Sequence, residues 1–84
     1  MYILIATNNK YCRRPELLDV TDNEDNIEYI ISSHYNHKRT VVKTTLMCTH
    51  NIKHLHSEYL VMIKYEDGTF NNINITVFEY ELND

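Results

Sequence analysis

In the stretch Thr21-Asp22-Asn23-Glu24-Asp25-Asn26-Ile27-Glu28-Tyr29-Ile30-Ile31-Ser32-Ser33-His34-Tyr35, two periodicities compete. Ile27, Ile30, Ile31 and His34 recur at i, i+3, i+4 and i+7, the spacing that lines one face of a helix. Thr21 or Asp22 offers a side-chain oxygen as the cap. Glu24 and Asp25 then fall in the first turn, where negative charge meets the positive end of the helix dipole. Read as a strand, the segment contributes Tyr29-Ile30-Ile31-Ser32-Ser33, β-branched and aromatic, closed by a turn at Tyr35-Asn36-His37-Lys38. The helix makes the chain α+β, with one helix packed on a three- to four-stranded, largely antiparallel sheet. The strand makes it an all-β small barrel. The acidic cap favours the helix, and the barrel stands as the alternative.

Outward from this stretch, the second half of the chain is rich in strand signals. Thr40 to Cys48 carries Thr and Val and reads as a strand. Tyr59 to Tyr65 is another, with Tyr59, Val61, Ile63 and Tyr65 on one face. Glu66-Asp67-Gly68-Thr69 is a hairpin turn, because Asp-Gly supplies the positive φ that tight hairpins require. The returning strand sets Ile73, Ile75 and Val77 on one side, then shifts to Phe78, Tyr80 and Leu82. That phase change predicts a bulge or a terminal turn of helix. Towards the N-terminus, Tyr2-Ile3-Leu4-Ile5-Ala6-Thr7 reads as a buried strand ending at Asn8-Asn9. A basic loop, Lys10 to Arg14, follows, and Pro15 opens a short helix over Glu16-Leu17-Leu18-Asp19. The expected core is Ile3, Ile5, Leu18, Ile27, Ile30, Ile31, Val42, Val61, Ile63, Ile75 and Val77.

At 84 residues the chain has room for one core and so reads as a single domain, 1–84. A hydrophobic content of 43% is too high for a disordered segment. With Gly68 as its one glycine, neither phosphate-cradling motif, GxxxxGK[ST] nor GxGxxG, can be written. The apolar run Ile3-Leu4-Ile5-Ala6 is too short for a signal peptide or a membrane span, which predicts a cytoplasmic protein that engages no membrane. There Cys12 and Cys48 stay reduced. Ten Asn, nine Ile and seven Tyr beside one Gly and one Pro are a residue usage favoured by A/T-rich codons, as in bacteriophage and low-GC bacterial genes. That is an argument about the genome, not about the fold.

Three constellations carry chemistry. Cys48, His50, His54 and His56 place four soft-metal ligands within nine residues, in the expected connection between two strands. The spacing C-x-H-x3-H-x-H matches no structural zinc pattern, and loop histidines are commonly solvated, so no resident cofactor is expected. The second constellation is acidic. From Pro15 to His37 there is no Lys or Arg, yet six of the twelve acidic residues lie there, among them Asp22, Glu24, Asp25 and Glu28. Such a face suits a partner protein with a basic surface. A helix cap with a solvated face accounts for the same residues one by one. The third is Lys10, Tyr11, Arg13 and Arg14, where cations beside an aromatic ring suit a phosphate and a stacked base. A net charge of −4 weighs against nucleic acid as the partner. An EF-hand loop is excluded, since Asp22-x-Glu24-x-Asn26 lacks the sixth-position glycine and has Ser33 at the twelfth position. Neither a nucleophile elbow nor a triad signature accompanies the serines or Cys48, so no catalysis is expected.

By elimination, the leading expectation is a non-catalytic protein-binding module: a bacteriophage accessory protein that inhibits a host factor, of the anti-restriction or anti-CRISPR kind. The alternatives are a metal-binding module built on the Cys48–His56 loop and a small nucleic-acid binder using the Lys10–Arg14 arm.

Overall fold

Strands β1 (Tyr2–Thr7), β2 (Glu16–Thr21), β3 (Thr40–Ile52), β4 (Leu55–Tyr65) and β5 (Phe70–Glu79) form one sheet in the computed structural model. The model describes residues 1–7, 14–36 and 39–81. The strand order is β2-β1-β5-β4-β3, and every neighbouring pair is antiparallel. Helix α1 (Ile27–Tyr35) packs on one face, so the architecture is a five-stranded antiparallel sheet with one helix. β2 and β3 remain the two edges, and the sheet does not close into a barrel. β3 has 13 residues, which at about 3.3 Å each span roughly 43 Å. The β3–β4 ribbon thus accounts for the 48 Å long axis. No helix among the described residues is long and apolar enough to cross a membrane.

The helix forms where the 3.6-residue period predicts it, but its cap and its inner stripe differ. Asn23, rather than Thr21 or Asp22, caps a 3-10 turn over Glu24–Asn26, its Oδ1 accepting from the Asp25 N–H at 3.0 Å. Thr21 Oγ1 instead accepts from the Asn23 N–H at 3.2 Å and holds the cap residue in place. The buried stripe is Ile27, Ile31 and Tyr35, at i, i+4 and i+8; Ile30 is half-buried and His34 faces solvent. A cap and an inner stripe together fix how the helix lies on the sheet.

Glu16–Thr21 is a strand, not the expected short helix, and it brings the sheet to five strands rather than three or four. Its pairing with β1, from Tyr2↔Thr21 to Ala6↔Glu16, is a tertiary interaction that overrides local propensity. The ladder shifts between Leu4 and Ile5, where Leu18 stands as the extra residue on β2.

The phase of β1 is the reverse of the expected one. Leu4 and Ala6 are fully buried under the helix, whereas Ile3 and Ile5 lie half-buried on the opposite face. A continuous apolar run carries no period of two from which to choose a face. The choice comes from pairing with β5: Leu4↔Val77 and Ala6↔Ile75 put the even residues of β1 on the side of Val77 and Ile75. The core comprises Leu4, Ala6, Ile27, Ile31, Tyr35, Val61, Ile63, Ile73, Ile75 and Val77. Leu18, Ile30 and Val42 pack against it half-buried. The far face of the sheet carries Leu17, Val20, Val41, Met62 and Phe70, all exposed.

Both hairpins take their geometry from a residue at positive φ. Gly68 sits at φ 89°. Its N–H donates to the Tyr65 carbonyl at 3.0 Å, and the Tyr65 N–H donates to the Thr69 carbonyl at 2.9 Å. That pattern is a three-residue turn with its glycine in the bulge position. Asp67 Oδ1 accepts from the Thr69 N–H at 2.9 Å and from its hydroxyl at 2.6 Å, and these two bonds hold the Asp67 carboxyl below its ordinary range. The β3–β4 hairpin turns through Lys53 and His54, with Ile52 opposite Leu55 and His54 at φ 69°. The expected Cys48–His56 connection is therefore mostly strand. β5 keeps its alternation unbroken through Asn71, Ile73, Ile75 and Val77 to Glu79. The irregularity expected there lies on the partner strand, where His56 is the extra residue of β4 between Leu55↔Phe78 and Ser57↔Val77.

Candidate functional site

Cys48 and His50 alternate along β3, and Glu58 stands directly opposite Cys48 on β4. The three side chains converge. His50 Nε2 lies 2.8 Å from Glu58 Oε2, the Cys48 thiol donates to the same oxygen at 3.2 Å, and Cys48 Sγ is 3.4 Å from His50 Nε2. The bond to His50, then that to Cys48, holds the Glu58 carboxyl below its ordinary range. The same carboxylate, as acceptor of the thiol's hydrogen bond, pushes the Cys48 thiol up. The imidazole presents one nitrogen to both partners. The cluster thus brings one sulfur, one nitrogen and one oxygen donor atom within 3.4 Å of one another, donor types that a borderline-soft cation accepts. Among the described residues this is the one group of three or more such side chains able to hold a metal ion.

Glu58 was not among the residues singled out from the sequence, and two that were lie elsewhere. His54 stacks on Tyr80 with ring centroids 4.5 Å apart and an interplanar angle of 14°, and its Nδ1 is 3.2 Å from the Glu79 carbonyl oxygen. His56 meets the edge of Tyr2 at 5.0 Å and places Nε2 3.2 Å from Glu24 Oε1, reaching the 3-10 turn before α1. Between the hairpin tip and the end of β5 lies an open groove of about 510 Å³, bordered by His50, His54, His56, Glu79 and Glu81.

The acidic residues gather at the start of the helix. Glu24 and Asp25 belong to the 3-10 turn, Glu28 to the first turn of α1, and Asp22 precedes the cap. All four are exposed. Glu24 has His56 as its partner, whereas the carboxylates of Asp22, Asp25 and Glu28 have no ion pair among the described residues. Tyr29 stands beside Glu28 with 74% of its surface open to solvent. It is the outward residue of a helix whose other large apolar side chains, Ile27, Ile30, Ile31 and Tyr35, are buried or half-buried, and periodicity alone marks it as such. Of the basic arm, Lys10, Tyr11 and Arg13 lie outside the described residues, and Arg14 is exposed just before β2.

No family model, curated protein or solved structure matches this chain. The site is therefore read from its own geometry.

Proposed function

We propose that this chain is a non-catalytic protein-binding module that docks onto a basic surface of a partner protein through Asp22, Glu24, Asp25 and Glu28. One observation carries the reading: Tyr29, an aromatic side chain 74% exposed, follows in sequence four exposed carboxylates, of which Asp22, Asp25 and Glu28 have no ion pair among the described residues. Aromatic anchors of this kind supply much of the energy of protein interfaces, and complementary charge speeds encounter and fixes orientation. Together with the A/T-codon residue usage, the surface suits a cytoplasmic bacteriophage accessory protein that inhibits a host factor, as anti-restriction and anti-CRISPR proteins do. A host protein that ordinarily grips nucleic acid offers the matching basic groove.

Charge reversal tests the reading. Changing Asp22, Glu24, Asp25 and Glu28 to Lys should slow association with the captured partner and weaken its salt dependence, whereas changing Arg13 and Arg14 to Glu should matter little. Circular dichroism must first show that the Lys variant is folded, because it reverses favourable charges at a helix start. A folded Lys variant that binds with unaltered kinetics would refute the acidic face. The nucleic-acid alternative behaves in the opposite way: the Arg changes cost affinity, and the slope of log K against log salt falls by about 0.9 per lost duplex-phosphate contact.

A further inference from the structure

We infer that Cys48, His50 and Glu58 form a binding site for one divalent cation of borderline softness, with zinc or cobalt(II) as the fitting ions. The inference is independent of the acidic docking face. The donor atoms Sγ, Nε2 and Oε2 lie 2.8 to 3.4 Å apart. Around a tetrahedral ion with zinc–sulfur, zinc–nitrogen and zinc–oxygen bonds of about 2.3, 2.05 and 2.05 Å, the same three atoms stand roughly 3.3–3.6 Å apart. The triad therefore needs to open by roughly 0.2 Å between Cys48 and His50 and by about 0.5 Å between His50 and Glu58. The backbone is already in place, since Cys48 and Glu58 are cross-strand partners and His50 is two residues along the same strand.

The chemistry of the set selects the ion. Magnesium and calcium prefer all-oxygen cages, whereas thiolate with imidazole and one carboxylate suits zinc and its neighbours. The hydrogen bonds that now join the three side chains engage lone pairs that a cation would accept, and the cation would displace the protons between them. When the ion binds, Cys48 releases its thiol proton to solvent and the sulfur lone pair forms the bond to the metal, with no change in oxidation state. Three protein ligands leave a fourth position, and because Cys48 is exposed that position opens to water. His54 and His56 are no part of the set, since their rings are turned to Tyr80 and Tyr2.

Cobalt(II) is the probe. Added to the reduced, metal-free full chain, it should saturate at one equivalent, giving visible bands of tetrahedral intensity and a near-ultraviolet thiolate-to-metal absorption. Zinc should displace it and raise the melting temperature in a concentration-dependent way. Cys48→Ser should abolish the thiolate absorption, while Cys12→Ser keeps it. Glu58→Gln and His50→Asn should each weaken cobalt binding by roughly tenfold or more, because even the loss of an outer hydrogen-bond partner of a ligand costs about that much. His54→Asn and His56→Asn should leave the affinity within about twofold. Cys48, His50, His54 and Glu58 have exposed or half-buried side chains outside the core, and circular dichroism checks the fold of every variant. Any of three results overturns the site: no thiolate absorption on adding cobalt, an absorption that survives Cys48→Ser, or an affinity that follows His54 and ignores Glu58.

Discussion

Replacing Gly68 with valine should destabilise the protein by about 1–1.5 kcal/mol net, entirely through the backbone. The structure separates that cost from any packing effect. Gly68 has φ 89°, and a Cβ built on it meets nothing within 4 Å, so no clash contributes. An L-residue at such a φ pays roughly 1–2 kcal/mol in local strain, and a β-branched side chain lies at the upper end. Against this, removing a glycine narrows the unfolded ensemble and returns about 0.4–1 kcal/mol. Valine therefore leaves a net loss, alanine a smaller one, and asparagine, which tolerates left-handed backbone, the smallest of the three. Urea unfolding followed by circular dichroism reads the series. With a slope of about 1 kcal/mol per molar, the valine midpoint should fall by roughly 1 M or more at unchanged slope. A neutral valine variant, or an asparagine variant as unstable as valine, would show that the turn does not depend on this backbone angle.

Tyr35 carries two further expectations. Its side chain is buried and its hydroxyl has no hydrogen-bond partner among the described residues, so Tyr35→Phe removes an unsatisfied donor and should stabilise the fold by about 1 kcal/mol in the same urea assay; a loss of similar size would mean that the hydroxyl is satisfied in solution. Burial, with a smaller contribution from Glu16, also pushes the Tyr35 pKa up to about 12, and burial raises Tyr2 and Tyr59 in the same direction. In the unfolded chain these phenols ionise near about 10, so between pH 10 and about 12 the unfolded state holds fewer protons than the folded one. The stability that the neutral phenols contribute is complete below pH 10 and is lost as pH rises through that window. Urea midpoints measured across it should fall in wild type and fall less steeply in Tyr35→Phe, and equal slopes would remove Tyr35 as the cause.

By itself the sequence determined those elements whose signals are local. The period of Ile27 and Ile31 with acidic residues ahead of it specifies a helix, and Tyr59 to Tyr65 shows its buried face by alternation. Asp67-Gly68 specifies the hairpin because few residues reach its backbone angles. The clustering of Asp22, Glu24, Asp25 and Glu28 is likewise legible, since near neighbours in sequence stay near in a helix start. What depended on partners was decided only by tertiary structure. Glu16–Thr21 has no strand pattern of its own and becomes one by pairing with β1. Tyr2–Thr7 is apolar on both faces, so its inner face follows from its register with β5. The Cys48–His50–Glu58 site shows this dependence most clearly. Counted back from Ile52↔Leu55, a regular ladder would set Cys48 opposite Tyr59 and turn Glu58 to the other face of the sheet. One extra residue on β3 between Thr49 and Ile52 shifts the register, so Glu58 stands opposite Cys48 instead. Side chains alternate with a period of two, so a single-residue bulge is enough to change which groups meet.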